Sequence, residues 1–154
     1  MILLMSALGA SSHTNDEAIR ALVHLLVICE DGVEGYRHAA AAVDDAAIQR
    51  VLAANAARRE EVVSVLGYAL VALGKKPPHH HGSLEGAVHR AFLDLEKLVG
   101  ASGRTITREC QRGERATIAA FAETLALDLP ADVKATVQSQ LGRILEASEA
   151  LARI

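Results

Sequence analysis

Aromatic residues are scarce in this chain of 154 residues, which has two Phe, two Tyr and no Trp. Proline is also rare, with three residues, so few positions forbid a helix. Hydrophobic residues nevertheless make up 51% of the sequence, as in ordinary soluble globular proteins. A chain of this length normally forms one domain. Because aromatic bulk is missing, its core must consist of aliphatic side chains and alanine.

The sequence also lacks a strong charge, a cysteine framework and a long apolar run. Its formal net charge is −3 without a basic cluster, which argues against nucleic-acid binding. Cys29 and Cys110 are too few for a disulfide scaffold, and we expect buried reduced thiols. No run is long enough to span a membrane. Because no Lys or Arg precedes Arg20, the N-terminal segment lacks the basic region of a signal peptide. We expect residues 1–13 to be a disordered tail, with a start at Met5 as the alternative, and the protein to be cytoplasmic.

Apolar residues recur at steps of three and four along five segments, which predicts amphipathic helices rather than strands. Thr14 and Glu17 form a capping box that would start the first helix. Gly74 would close the second helix, and Pro130 suits the first turn of the last. The expected helices cover about residues 14–43, 46–73, 83–100, 105–128 and 130 onward.

The spacing of these helices predicts one all-α domain over residues 14–154. Short turns near Asp45 and Pro130 join the long helices into two hairpins, whereas residues 75–104 form a long connection with a shorter helix of its own. Two hairpins with one long crossover are the ferritin-like form of the antiparallel four-helix bundle. We therefore expect a ferritin-like bundle with an additional crossover helix.

Four sets of short motifs stand out along the chain. They are Cys29-Glu30-Asp31-Gly32 with Gly35-Tyr36, Gly82-Ser83 with Gly86 and His89-Arg90, Glu109-Cys110 with Gly113-Glu114, and the Leu129-Pro130 turn. Together they resemble a bacterial ferritin-like four-helix-bundle family catalogued as a domain of unknown function, over roughly residues 15–152. The resemblance implies an architecture related to that of rubrerythrins and bacterioferritins and a bacterial accessory or stress-associated role. It implies no settled activity.

Four polar residues fall on predicted helix faces that are otherwise apolar: Glu30, Arg59, Glu109 and Gln140. Each helical residue advances about 100°, which places Glu30 about 40° from Leu26, inside the apolar stripe. A buried guanidinium must be paired, because an isolated buried charge is prohibitively costly. We therefore predict a buried polar network in which Arg59 bridges Glu30 and Glu109, and in which Gln140 completes the hydrogen bonds.

The Glu-x-x-His pair that ferritin-like di-iron proteins use is absent from this sequence. The predicted second and last helices contain no histidine, and the inward Arg59 would occupy the space that a cation needs. We therefore expect neither a metal nor another cofactor. The alternative is an iron or manganese site made from Glu30, Glu34, Glu109 and Glu114, since sites with only oxygen ligands suit hard cations.

Three consecutive histidines, His79 to His81, follow the second proline of a Pro-Pro pair. We expect them to be solvated in a loop, with a surface transition-metal site as the alternative, because imidazole suits Zn, Ni and Cu. His89, on the predicted crossover helix, is expected to hydrogen-bond to a neighbouring helix.

Three glycines, Gly32, Gly35 and Gly113, lie inside predicted helices. Each costs about 1 kcal/mol there relative to alanine, so something must offset the loss. Close helix crossing is the expected reason. The alternative is a π-bulge near Glu30 or Glu34, because such bulges often occur at functional sites.

Common catalytic signatures are also missing: the sequence contains no Gly-x-Ser-x-Gly, no P-loop and no dinucleotide-binding fingerprint. We therefore expect a non-enzymatic bundle that acts as a homo-oligomer or through a protein partner, without nucleic acid or membrane. The alternative is a divergent carboxylate metal protein that binds or oxidises iron or manganese.

Overall fold

The computed structural model describes the backbone of residues 2–78, 98 and 100–154, with side chains described from Thr14 onward. Within these ranges the chain is all-helical and contains no strand, as predicted. The four described helices are α1 (Ile2–Ala42), α2 (Ala46–Ala72), α3 (Gly103–Leu125) and α4 (Ala131–Ala152). The predicted crossover helix and the loop and helix histidines, His79 to His81 and His89, lie outside the described residues.

Helix α1 begins well before the predicted start. Its backbone is helical from Ile2, so Thr14 lies inside the helix and the capping box does not start it. The segment for which we expected a disordered tail therefore continues α1. Its many Leu, Met and Ala residues favour a helix, and no proline interrupts it, so the local capping signal did not decide the start.

The other helix boundaries follow the chemistry of their terminal residues. Asp45 caps α2, where its side chain accepts hydrogen bonds from the backbone N–H groups of Ala47 and Ile48. Gly74, with φ of 77°, follows the end of α2, a conformation that glycine adopts without strain. Ser102 caps α3 and accepts from the N–H of Thr105, so α3 starts slightly earlier than predicted.

Each of the four helices packs against two of the others. Helix α1 contacts α2 and α3, and α4 contacts the same two helices. This ring of neighbours is the packing pattern of a four-helix bundle. Within the described residues, no helix is both long enough and apolar enough to cross a membrane.

The described apolar core consists of two clusters, one toward each end of the bundle. The first contains Leu22, Leu26, Leu66, Phe121 and Val137, among others, and the second contains Ala39, Leu52, Ile106 and Leu151, among others. Along α2, Arg59 falls between the residues of the two clusters. Along α3, Glu114 and Thr117 do the same. A layer of buried polar groups therefore separates the two apolar clusters.

Candidate functional site

The central feature of the polar layer is a buried ion pair between Arg59 of α2 and Glu114 of α3. The side chain of Arg59 is 2% exposed and that of Glu114 is 1% exposed. Arg59 Nη2 donates to Glu114 Oε1, and the hydroxyl of Tyr36 on α1 donates to the same oxygen. Three helices are thus joined through one carboxylate oxygen.

Thr117 extends this arrangement along α3. Arg59 Nη1 lies 3.4 Å from Thr117 Oγ1 and donates to it, while the threonine hydroxyl donates to the carbonyl oxygen of Gly113 at 3.0 Å. Arg59 Cζ also lies 5.9 Å from the centroid of the Tyr36 ring, within the range of a cation–π contact. We refer to Tyr36, Arg59, Glu114 and Thr117 as the polar cluster.

Gly32 makes room for the guanidinium of Arg59. A Cβ atom at this position would lie 2.8 Å from Arg59 Nη1, closer than real Cβ atoms approach other atoms. Gly32 therefore makes room for the buried side chain of Arg59. The expected reason was different, namely that the glycines allow two helix backbones to cross closely. Gly35 and Gly113 differ further, because a Cβ at either position would meet no described atom within 4 Å. Packing among the described residues therefore does not explain these two glycines.

Burial raises the pKa of two thiols and one phenol at the cluster. It raises the pKa of the Cys29 thiol to about 11, although the nearby Arg59 guanidinium opposes the shift. It raises the pKa of the Cys110 thiol to about 12, with a further contribution from the Glu114 carboxylate. Burial and the adjacent Glu114 also raise the pKa of Tyr36. Both cysteines are free, as predicted, but only Cys29 is buried, whereas Cys110 is half-buried. With these raised pKa values both remain protonated thiols at neutral pH.

Glu114 is subject to opposing effects. Burial raises the pKa of its carboxyl group, while the Arg59 charge and the Tyr36 hydrogen bond lower it. Its second oxygen, Oε2, is buried and has no hydrogen-bond partner among the described residues. The cluster therefore gives two donors to one oxygen of the carboxylate and none to the other.

The partners of Arg59 differ from those we expected. Arg59 is buried, but it pairs with Glu114 rather than bridging Glu30 and Glu109. Glu109 is 36% exposed and forms an ion pair with Arg112. Glu30 is half-buried, and its charge raises the pKa of Cys29.

Gln140 does face the core, as expected, and is 5% exposed. Its amide oxygen has no hydrogen-bond partner among the described residues, so it does not complete the network around Arg59.

The four carboxylates considered as metal ligands are not brought together. Glu34 is exposed, and its Oε1 lies 2.6 Å from Arg37 Nη1. Arg37 Nη2 also lies 2.6 Å from Glu60 Oε1. Three of the four are each paired with a different arginine: Glu34 with Arg37, Glu109 with Arg112, and Glu114 with Arg59. In the described part of the chain, no three His, Cys, Asp or Glu residues form a group that could hold a metal ion.

A cleft of about 360 Å³ lies beside the polar cluster. The described part of its wall comes from α1, α2, α3 and Leu98, and all four residues of the cluster line it. The other described residues that line it are Ile28, Asp31, Gly32, Gly35, Glu109, Cys110, Arg112, Gly113 and Ala116. The cleft is large enough for a small ligand.

Tyr36 and Thr117 were not among the predicted site residues. Each lies on the apolar stripe of its helix, and its hydroxyl was the only sign of a polar role. Glu114 was considered as a possible metal ligand and as part of a motif, but not as the partner of Arg59.

The family of this all-helical protein follows from comparison with known proteins. The model of the family described as "Domain of unknown function (DUF2383)" matches residues 17–127, which is most of the chain. The chain belongs to this family, and the predicted membership of a family of unknown function is confirmed. The match contains the polar cluster but not α4. No curated protein matches the chain.

Proposed function

We propose that this protein is a non-enzymatic accessory bundle of the ferritin-like type that acts by associating with a second copy of itself. The observation that carries the non-enzymatic part is the Arg59–Glu114 pair. A guanidinium sits in the core, where ferritin-like metal proteins place inward carboxylates and histidines around their ions. Because Arg59 already neutralises the buried Glu114 carboxylate, a metal ion in this part of the core would have to compete with Arg59 for that carboxylate. The positive guanidinium would also repel the ion.

The chain connectivity supports the ferritin-like type. Short turns join α1 to α2 and α3 to α4, whereas residues 73–102 separate α2 from α3. Such a long middle connection is expected in a ferritin-like bundle and is not needed in a simple up-and-down bundle. A cytoplasmic, bacterial, stress-associated role is the corresponding biological proposal.

An exposed apolar surface on α2 supports self-association. Tyr68 is 76% exposed and Val71 is 58% exposed, although both are large hydrophobic residues. They are three residues apart and therefore neighbours on one side of the helix. Burying this pair in a contact between two copies would remove apolar area from water.

The proposal can be tested on one preparation of untagged full-length protein. Sedimentation equilibrium should show a dimer, and replacing Tyr68 and Val71 together by serine should shift it toward the monomer. Leu145→Ser on α4 is the matched control, since Leu145 is 44% exposed and should leave the dimer intact. A wild-type protein that stays monomeric at every concentration would exclude self-association.

The metal alternative is tested on the same sample by elemental analysis and by aerobic addition of Fe(II). We expect no stoichiometric iron or manganese and no accelerated oxidation. About two ions per chain, as in di-iron bundles, or rapid oxidation would overturn the non-enzymatic proposal.

A further inference from the structure

Helix α1 continues beyond the described bundle at one end. It has 41 residues and its neighbour α2 has 27, and a short turn joins the two at the opposite end. With a rise of 1.5 Å per residue, α1 is therefore about 20 Å longer than α2. The turn between α3 and α4 does not extend as far, because Leu129 belongs to the same apolar cluster as Ala18 and Leu22. Residues 2–13 thus extend past the ends of the other described helices.

The extending segment is apolar and uncharged. It contains no Asp, Glu, Lys or Arg, and its large apolar residues are Ile2, Leu3, Leu4, Met5 and Leu8. A free helix of about 12 residues is marginal in water, so contact with another surface would stabilise it. Because α1 is continuous from Ile2 to Ala42, the segment cannot fold back onto α2 of the same copy. Among the described residues, a surface that covers it therefore has to come from a second molecule.

The exposed apolar pair on α2 lies at the same end of the bundle. Tyr68 and Val71 are 76% and 58% exposed, and α2 ends at Ala72, close to where residues 2–13 leave the bundle. If two copies lie antiparallel with these ends overlapping, the extending segment of each copy runs along α2 of the other. A twofold axis makes the contact reciprocal, so the assembly closes at two copies and covers both apolar features.

A second copy suits this segment better than a lipid surface does. Helices that lie on membranes carry a strongly charged or polar face, usually rich in Lys and Arg. Residues 2–13 have no such charges, and the first charged residue after them is the exposed, acidic Asp16. A lipid surface would also leave Tyr68 and Val71 uncovered on α2.

We propose that residues 2–13 of each copy pack on the surface around Tyr68 and Val71 of the other copy, so that the two copies exchange the ends of their α1 helices. The contact rests on the self-association proposed above and names the segment that covers the exposed pair. Burial of the aliphatic residues of the segment against Tyr68 and Val71 supplies the stabilisation.

Replacing leucines of the segment by alanine tests the contact in the full-length protein. The variant with Leu3→Ala, Leu4→Ala and Leu8→Ala keeps the tendency to form a helix but loses apolar area. Sedimentation equilibrium should show that its dimer dissociates about tenfold or more readily than that of the wild type. The matched control has Ser6→Ala, Ser11→Ala and Ser12→Ala, which are three alanines in the same segment without loss of apolar area. Its dimer should not be weakened.

Photo-crosslinking locates the contact directly. The photoreactive residue benzoylphenylalanine replaces Val71, and equal amounts of ¹⁴N- and ¹⁵N-labelled chains are mixed so that mass spectrometry distinguishes links between copies. After trypsin digestion, position 71 of one copy should be linked to residues 2–13 of the other, in the peptide that ends at Arg20. Links between copies that lie only elsewhere would overturn the contact.

The outcomes separate this contact from self-association in general. If the wild type is a dimer that serine at Tyr68 and Val71 dissociates, but the three leucine replacements leave it intact, the exchange is overturned and self-association stands. A wild-type monomer at every concentration would overturn both. Monomeric wild-type protein that cosediments with phosphatidylcholine vesicles would assign residues 2–13 to a lipid surface and would likewise overturn both.

Discussion

The Arg59 side chain shows how a charge is accommodated in a core with few aromatic groups. Its guanidinium contacts Glu114 and Thr117, stacks near Tyr36 and occupies the space that Gly32 leaves open. Burying two charges is costly, and such a pair contributes only when its geometry and further hydrogen bonds are good. The pair is therefore better evidence for a fixed helix register than for high stability.

Removing one partner of this pair should destabilise the protein strongly. Arg59→Met leaves the Glu114 carboxylate buried without its counter-charge, so the free energy of unfolding should fall by about 3–5 kcal/mol, as measured by urea denaturation. Arg112→Met is the matched control, because Arg112 is 64% exposed and pairs with Glu109 at the surface. Its effect should stay within about 1 kcal/mol. Equal stability of Arg59→Met and the wild type would show that Arg59 is solvated.

The helices differ in how their ends are determined. The side chain of Asp45 accepts from the backbone N–H of Ala47 at 2.8 Å and of Ile48 at 3.1 Å. The N-cap residue of α4 is Pro130, whose ring has no acceptor atom. Helix α1 is determined by the helix-favouring residues along its length, since it continues through the capping box at Thr14. A local capping signal is thus decisive only where the preceding residues do not already form a helix.

The cap of α2 should have a measurable effect on stability. Asp45→Ala removes the acceptor for two backbone N–H groups, so the free energy of unfolding should fall by about 1 kcal/mol. The neighbouring Asp44, also exposed and in the turn, provides the control. Asp44→Ala should change stability by less than about 0.5 kcal/mol in the same thermal or urea experiment. Equal losses for both variants would mean that the cap bond contributes nothing.

In the molecule as a whole, titratable groups lie at the junction of the two apolar clusters. Cys29 belongs to the first cluster, Tyr36 to the second, and Cys110 packs against the second. The pKa of all three is raised by burial. At a pH between the pKa of the unfolded chain and the raised pKa of the folded chain, the folded state holds a proton that the unfolded state has released. These groups therefore make the stability of the protein sensitive to alkaline pH.

The free energy of unfolding should decrease as the pH rises above the ordinary thiol pKa of 9.0. The unfolded chain ionises Cys29 near that value, whereas the folded chain keeps the proton until about pH 11. The contribution of the Cys29 thiol to the free energy of unfolding is complete below pH 9.0 and is lost as the pH rises to about 11. For one group, the free energy of unfolding falls by up to about 1.4 kcal/mol per pH unit in this range. Urea denaturation in reducing buffer, from about pH 8 to about pH 10.5, measures it.

Cys29→Ala is the control for the alkaline prediction. This variant lacks the thiol, so its stability should fall less steeply with pH than that of the wild type. Parallel profiles for the two proteins would exclude Cys29 as a source of the dependence.

The sequence by itself determined the helical class, the membership of the family and the turns at Asp45 and Pro130. Periodicity and turn residues are local properties of the sequence, so they can be recognised without knowing which helices pack against each other. It also placed Arg59 in the core, because apolar residues surround it one turn away on both sides. The same local reading failed at Thr14, where helix-favouring residues lay upstream.

Only the tertiary structure decided which carboxylate pairs with Arg59. The stripe of α3 mixes Thr, Glu and Cys with few large apolar residues, so its period placed Glu109 inside the bundle, whereas the structure buries Glu114 and leaves Glu109 36% exposed. The rotation of α3 is set by contacts with α1 and α2, where Tyr36 and the space above Gly32 meet the Arg59–Glu114 pair. A sequence pattern assigns residues to a face, but the pairing of faces depends on packing between distant segments.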